Sequence, residues 1–193
     1  MKLIVGLGNP GQKYILNRHN VGFLMMDGLL EQLSPGSSFK TETQFKAQIC
    51  KLKWQGQDLL LVKPQTYMNR SGEAVHPIMS FYRIERPDLL VVHDDVDLPF
   101  GEFRFHIRRG PGGQNGIKNI HQILGSDDYA RLKMGVGRPA DPRHSIADYV
   151  LANFTEPADK LAQFLGDGLD AIEYWIKNGT ERAANQFNAA AKG

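Results

Sequence analysis

Five short stretches of the chain set Asn, His and Asp beside glycine or proline. They are residues 8–11 (GNPG), 17–22 (NRHNVG), 66–72 (TYMNRSG), 92–99 (VHDDVDLP) and 112–116 (GGQNG). His19 can take a proton near neutral pH. Asp94 comes just after the apolar run 89–92, a good place to hold a carboxylate against a histidine. Such a pair fixes the imidazole tautomer and stabilises the imidazolium that forms when the ring accepts a proton. The asparagines offer neutral donors for a carbonyl or an oxyanion. Each stretch alone reads equally as turn chemistry, since Asn is common in turns and caps, and a lone His19 reads as a surface histidine.

Other chemistries are weighed against this one. His93, Asp94, Asp95 and Asp97 carry oxygen and nitrogen ligands suited to Mg²⁺ or Mn²⁺. If the backbone stays extended, however, Asp95 and Asp97 face away from Asp94. Gly6, Gly8 and Gly11 spell G-x-G-x-x-G after an apolar run, the dinucleotide fingerprint. Two features count against it: Pro10 removes a backbone donor from the loop, and no strand-ending acid follows at the expected spacing, Asp27 lying in a helical pattern. No serine sits in a G-x-S-x-G elbow, and Cys50 lies inside a strand pattern. Water is therefore the expected nucleophile.

The elements that must position these groups can be read from periodicity. Residues 2–7 and 89–92 are short apolar runs that predict buried strands. Residues 43–53 and 57–63 predict a hairpin about Gln55-Gly56. In 102–108, Phe103, Phe105 and Ile107 alternate with Arg104, His106 and Arg108, and a further strand is predicted over 131–136. Helices are predicted over 20–33, 71–83 (with Pro77 as a kink or a late start) and 117–124. A long amphipathic helix follows 155, with Thr155 as its N-cap and Asn178-Gly179 as its stop. Strands interleaved with helices, plus one hairpin, predict an α/β fold: a single-domain sandwich with a central twisted mixed β-sheet flanked by helices.

The chain has 193 residues, which suits one domain spanning 1–193. With 23 Lys and Arg against 21 Asp and Glu, the formal charge of +2 excludes a polybasic binder. The total conceals an asymmetry. Residues 101–143 carry a net +4, whereas residues 144–181 carry a net −5. Arg104 and His106 on one strand, with Arg131 and Lys133 on another, form a candidate phosphate track, or else an ordinary solvated face. A lone cysteine, no signal-peptide pattern and no membrane-length apolar run lead to the expectation of a cytoplasmic protein.

Taken in order, GLGNPG, YxxxRHNxG (Tyr14, Arg18, His19, Asn20, Gly22), TYMNRSG, HDDVDLPFG and GGQNGIKNI closely resemble the bacterial-type peptidyl-tRNA hydrolases. The resemblance runs from Lys2 to about Phe187. It implies an esterase that cleaves the bond between a peptide's carboxyl end and the terminal ribose of tRNA, recycling tRNA from prematurely released peptidyl-tRNA. It also implies that His19 is the general base and Asp94 its partner. Asn9, Met68, Asn69 and Asn115 would bind the peptide end, the scissile carbonyl and the water, with Asn20 and Tyr14 lining or supporting them. Arg104, His106, Arg131 and Lys133 would contact tRNA, residues 138–154 would form a mobile gate, and the helices over 155–190 would pack on the domain. The expected enzyme is a monomer without an obligate protein partner, and it uses neither metal nor cofactor. Gln114 stands where relatives often have histidine, and His106 where lysine is common.

Overall fold

The computed structural model describes residues 1–190. Its strands are β1 (Lys2–Gly6), β2 (Lys40–Glu42), β3 (Ala47–Trp54), β4 (Gln57–Pro64), β5 (Leu89–Asp95), β6 (Phe103–His106) and β7 (Ala130–Gly135). Its helices are α1 (Val21–Leu33), α2 (Gly72–Tyr82), α3 (Asn115–Leu124), α4 (Ile146–Val150), α5 (Ala158–Asn178) and α6 (Thr180–Ala190). The strands form one mixed sheet in the order β2-β3-β4-β1-β5-β7-β6. β4, β1, β5 and β7 run parallel, while β2–β3, β3–β4 and β6–β7 pair antiparallel. The α/β sandwich expected from the sequence is the observed one.

Both faces of the central strands are covered, so their sequences read as continuous apolar runs rather than alternations. Ile4, Leu61, Leu90, Val92 and Leu132 pack under α1 and α5 together with Trp175 and Ile172. On the opposite face, Leu3, Val5, Leu60, Val62 and Val91 pack under α2 and α3 with Ile78, Ile117 and Ile120. Cys50 is buried and free. No helix among the described residues is long and apolar enough to cross a membrane.

Two glycines bring the first strand and first helix into backbone contact. A Cβ on Gly6 would lie 2.0 Å from the Gly22 carbonyl oxygen, and one on Gly22 would lie 2.4 Å from the Leu7 nitrogen. No side chain fits at that crossing, and it sets the 17–20 turn beside the loop that follows β1.

Several boundaries differ from the sequence expectation. Asp94 lies within β5 rather than beyond it, and the strand runs on to Asp95. α2 begins at Gly72 and continues through Pro77 instead of starting there. α3 begins at Asn115, because the Gln114 side chain accepts the Ile117 N–H and caps it. β6 stops at His106: Arg108 adopts φ 52°, turning the chain, and Ile107 is left exposed. α5 is preceded by Pro157, not capped by Thr155, whose hydroxyl instead accepts from Arg18 at 3.0 Å.

Candidate active site

The carboxyl ends of three adjacent parallel strands, β4, β1 and β5, meet at one edge of the sheet, where open α/β sheets build their sites. The loop after β1 carries Asn9. Its backbone is held by Asn20, which is 2% exposed. Asn9 N–H donates to Asn20 Oδ1 at 2.9 Å, and Asn20 Nδ2 donates back to the Asn9 carbonyl at 2.9 Å. The Asn9 side chain then bridges to the loop after β4, its Oδ1 accepting the Met68 N–H at 2.8 Å. That bond fixes the amide's orientation and leaves Asn9 Nδ2 as a donor on the cleft side.

His19 lies in a short 3-10 turn, Arg18–Asn20, ahead of α1. Its Nδ1 is 2.8 Å from Asp94 Oδ2. Because a carboxylate can only accept, Nδ1 carries the proton and Nε2 is left as the basic nitrogen. Burial by itself would depress the His19 pKa, but the charge and hydrogen bond of Asp94 outweigh it and the net displacement is upward. Burial likewise opposes ionisation of Asp94, yet His19 and Gln114 together hold its carboxyl below the ordinary value.

Gln114 completes this arrangement. Its Oε1 is committed to the N-terminus of α3, so its Nε2 must point the other way, donating to Asp94 Oδ1 at 3.0 Å and contacting Met68 Sδ at 3.2 Å. In the sequence Gln114 stands out only as a departure from relatives. The signal that points to its role is its place immediately before a helix start, where a side-chain acceptor is wanted.

These groups line a cleft of about 660 Å³. Asn9, His19, Met68, Asn69, Asp94, Gln114 and Asn115 belong to its lining, and Ile146, Ala147, Val150 and Leu151 form an apolar wall from the 138–154 segment. Asn69 and Asn115 are exposed to the cleft. Asn20 stands behind it and acts through Asn9. Tyr14 is not brought there: it is half-buried beside Lys13, whose Nζ lies 4.8 Å from its ring.

Alternation turns Asp95 away from Asp94 at the end of β5, and the chain then bends at 96–98 rather than staying extended. Asp95 pairs with Lys133 at 2.5 Å and accepts the Asp97 and Leu98 N–H groups, while Asp97 pairs with Arg138. Among the described residues, no three His, Cys, Asp or Glu side chains converge as a metal-holding group.

The four basic residues expected to form one track are divided. Arg104 and His106 are partly exposed on β6. Arg131 is 1% exposed, and its Nη2 donates to the Arg109 and Gly110 carbonyls at 2.7 and 3.2 Å. A side chain sealed in this way braces the 109–113 loop and does not present its charge to a ligand. The Lys133 side chain is 15% exposed and salt-bridged to Asp95. His106 has a pKa lowered to about 4 by burial and by Lys133, Arg131 and Arg109, so it is neutral at pH 7. Buried His93, lowered to about 4 chiefly by desolvation, is neutral too, its Nδ1 donating to the Asp94 carbonyl at 2.8 Å.

A mixed sheet bearing a buried His–Asp pair and amide donors at its carboxyl edge defines an α/β enzyme of hydrolytic type. Comparison with known proteins makes the class specific. A family model described as Peptidyl-tRNA hydrolase matches residues 3–193. The peptidyl-tRNA hydrolase of Bdellovibrio bacteriovorus is 47% identical over 189 residues, covering 97% of this chain and 100% of its own. That of Lactiplantibacillus plantarum is 44% identical over 191 residues, with 97% and 100% covered. The crystal structure of the Acinetobacter baumannii peptidyl-tRNA hydrolase superposes with a TM-score of 0.87 at 32% identity, covering 98% of this chain and 95% of that one. The chain belongs to the peptidyl-tRNA hydrolase family, and it is an ester-hydrolysing enzyme acting on peptidyl-tRNA.

Proposed function

We propose that His19 is the general base of this hydrolysis. The observation that carries the reading is the 2.8 Å contact from His19 Nδ1 to Asp94 Oδ2, which leaves Nε2 basic in a residue that lines the cleft. Nε2 takes a proton from water as the oxygen attacks the ester carbonyl, and Asp94 stabilises the imidazolium. Asn9 Nδ2 and the amides of Asn69 and Asn115 donate to the carbonyl, the developing oxyanion and the water. Met68 holds Asn9 through its backbone and Gln114 through its sulfur. The tetrahedral intermediate then expels the ribose hydroxyl, which recovers the proton, and tRNA and peptide leave. Neither a covalent intermediate, a metal nor a cofactor takes part.

The tRNA acceptor end lies along β6 and the 108–118 region, where Arg104, Arg108, Arg109 and Lys118 reach solvent. Lys133 and Arg131 stiffen that surface from beneath, and His106 contributes a hydrogen bond rather than a charge. The segment 138–154 is the gate of the cleft, within one catalytic domain that works as a monomer in the cytoplasm without an obligate partner, recycling tRNA from prematurely released peptidyl-tRNA.

The test is a gel assay of ester cleavage on an N-blocked aminoacyl-tRNA beside the free aminoacyl-tRNA. Selective cleavage of the blocked form by the wild-type chain, abolished in His19→Ala, is the expected result. Near-normal turnover by that variant would remove His19 from the role of base.

A further inference from the structure

The turn that carries His19 also fastens the far wall of the cleft. Asn17 Nδ2 donates to the Leu151 carbonyl, Arg18 N–H donates to the Ala152 carbonyl at 3.1 Å, and Phe154 N–H donates to the Leu16 carbonyl at 3.1 Å. The Arg18 side chain is only 5% exposed although it carries a full charge. Its Nη1 donates to the Asn153 carbonyl at 2.6 Å, and its Nη2 donates to Thr155 Oγ1 at 3.0 Å and lies 3.4 Å from Glu156 Oε1. The guanidinium plane also lies 4.4 Å from the Tyr149 ring centre and 5.6 Å from that of Phe154. Every partner of this side chain belongs to residues 149–156, immediately behind the wall formed by Ile146, Val150 and Leu151.

The chemistry of the two sides of the cleft differs. One side holds His19, Asp94 and the amides. The other is apolar over residues 146–151, with Ile146 and Leu151 41% and 42% exposed, and Arg138, which also lines the cleft, is paired with Asp97. An apolar wall suits peptide side chains of varied sequence and offers nothing to a ribose or a phosphate. A planar fork that donates to two acceptors while stacking on an aromatic face is a task for arginine, and an ammonium on the same stem cannot perform it.

We propose that Arg18 is a specificity-determining positioning residue, which seats the 146–151 wall at a fixed distance from His19 so that the enzyme grips the peptide portion of its substrate. The proposal rests on the assignment of peptidyl-tRNA hydrolysis to this cleft. Arg18 touches no reacting atom; it acts through the wall.

The experiment compares wild type with Arg18→Lys on two substrates, an N-acetyl-aminoacyl-tRNA and an oligopeptidyl-tRNA with several apolar residues. Arg18→Lys raises KM for the oligopeptidyl substrate by roughly five- to tenfold and for the short substrate by less than about twofold, while kcat and the pH midpoint of kcat/KM stay as in wild type. The double variant Thr155→Val/Glu156→Gln, which weakens the same clamp from the wall side, shifts the two KM values in the same ratio. A merely structural role gives a different pattern, since a smaller folded fraction lowers apparent kcat equally for both substrates and leaves KM alone. That pattern, or an equal rise in KM for both substrates, overturns the proposal. If the wild-type enzyme cleaves neither substrate, the functional reading itself fails, an outcome distinct from the other two.

Discussion

Asp94 and Gln114 are placed so that exchanging their acceptor and donor groups tests the tautomer of His19. In wild type, Gln114 Oε1 is held by the Ile117 N–H, so Nε2 faces Asp94 Oδ1. In Asp94→Asn the new amide keeps its oxygen toward that donor and turns its own NH₂ to His19 Nδ1. Nδ1 must then accept, the proton moves to Nε2, and the nitrogen that should take a proton from water is blocked. The lost attraction between a carboxylate and an imidazolium about 4 Å apart is on the order of 4 kcal/mol at an effective dielectric of about 20. Relief of Asp94 desolvation offsets part of it, leaving a fall in kcat of ~10²–10³. In Asp94→Asn/Gln114→Glu the geometry reverses. The carboxylate introduced at position 114 caps α3 with one oxygen, and its other oxygen accepts from the amide NH₂ introduced at position 94. The oxygen of that amide then faces His19 Nδ1–H again. The double variant should recover about tenfold over Asp94→Asn despite carrying a second substitution in the site. Single-turnover cleavage of N-blocked aminoacyl-tRNA measures it, with the proton on His19 Nδ1 followed by NMR. A double variant no faster than Asp94→Asn would refute the claim that Gln114 sets the orientation at position 94.

The remaining predictions concern the base, the nucleic-acid face and acid stability. His19→Ala should reduce turnover by ~10²–10⁴ while tRNA affinity, read by filter binding, changes little. Because Asp94 lifts the His19 pKa over the opposing effect of burial, the ascending limb of kcat/KM in wild type should have its midpoint above about 6.5; in Asp94→Ala burial acts alone and the midpoint moves below it. Arg104→Ala or Arg109→Ala should each reduce the slope of log affinity against log salt by about one, whereas Arg131→Ala should show its effect first as a lowered Tm; an unaltered salt slope for the first two would make β6 an ordinary surface. His93 has a folded pKa of about 4, below its unfolded value, so the unfolded chain binds the extra proton between about pH 6.5 and 4. Stability should therefore fall by up to ~3 kcal/mol as the pH drops through that window, and His93→Gln should flatten that part of the urea-midpoint profile.

The buried strands were legible because β1, β4 and β5 are covered on both faces, so their residues form unbroken apolar runs. The residues of the site were legible as types, through Asn, His and Asp beside glycine at strand ends, and the resemblance carried by those stretches supplied their proposed roles. Four features were not legible, each for a physical reason. α4 has five residues, too few for a helical period to show, and β2 is a three-residue edge strand. Gln114 sits in a glycine-rich loop with no periodicity, and its two bonds run to Ile117 and Asp94, contacts that spacing does not encode. Arg131 shows the limit most clearly. Standing two residues apart on β7, Arg131 and Lys133 share a face, but alternation says which face a side chain takes and not whether that face is covered.

That burial changes what the local +4 means. The sequence alone presents residues 101–143 as a uniform basic stretch, but the fold sorts its cations into two sets with different tasks. Arg131 and Lys133 are engaged internally, one with loop carbonyls and the other with Asp95, the neighbour of Asp94 on β5. Burial, reinforced by their charge, depresses the His106 pKa, which removes a third potential cation from the surface at neutral pH. What remains outward is Arg104, partly screened by Glu102 at 3.5 Å, with Arg109, Lys118, an Arg108 paired to Asp128 at 2.9 Å, an Arg138 paired to Asp97 and an Arg143 paired to Asp141. With four of these six outward cations already partnered, the proposed tRNA contact should show a shallow salt dependence and release tRNA quickly after cleavage. Lys133 instead ties the end of β7 to that of β5 through Asp95, next to the point where Asp94 meets His19, and Arg131 braces the 109–110 loop.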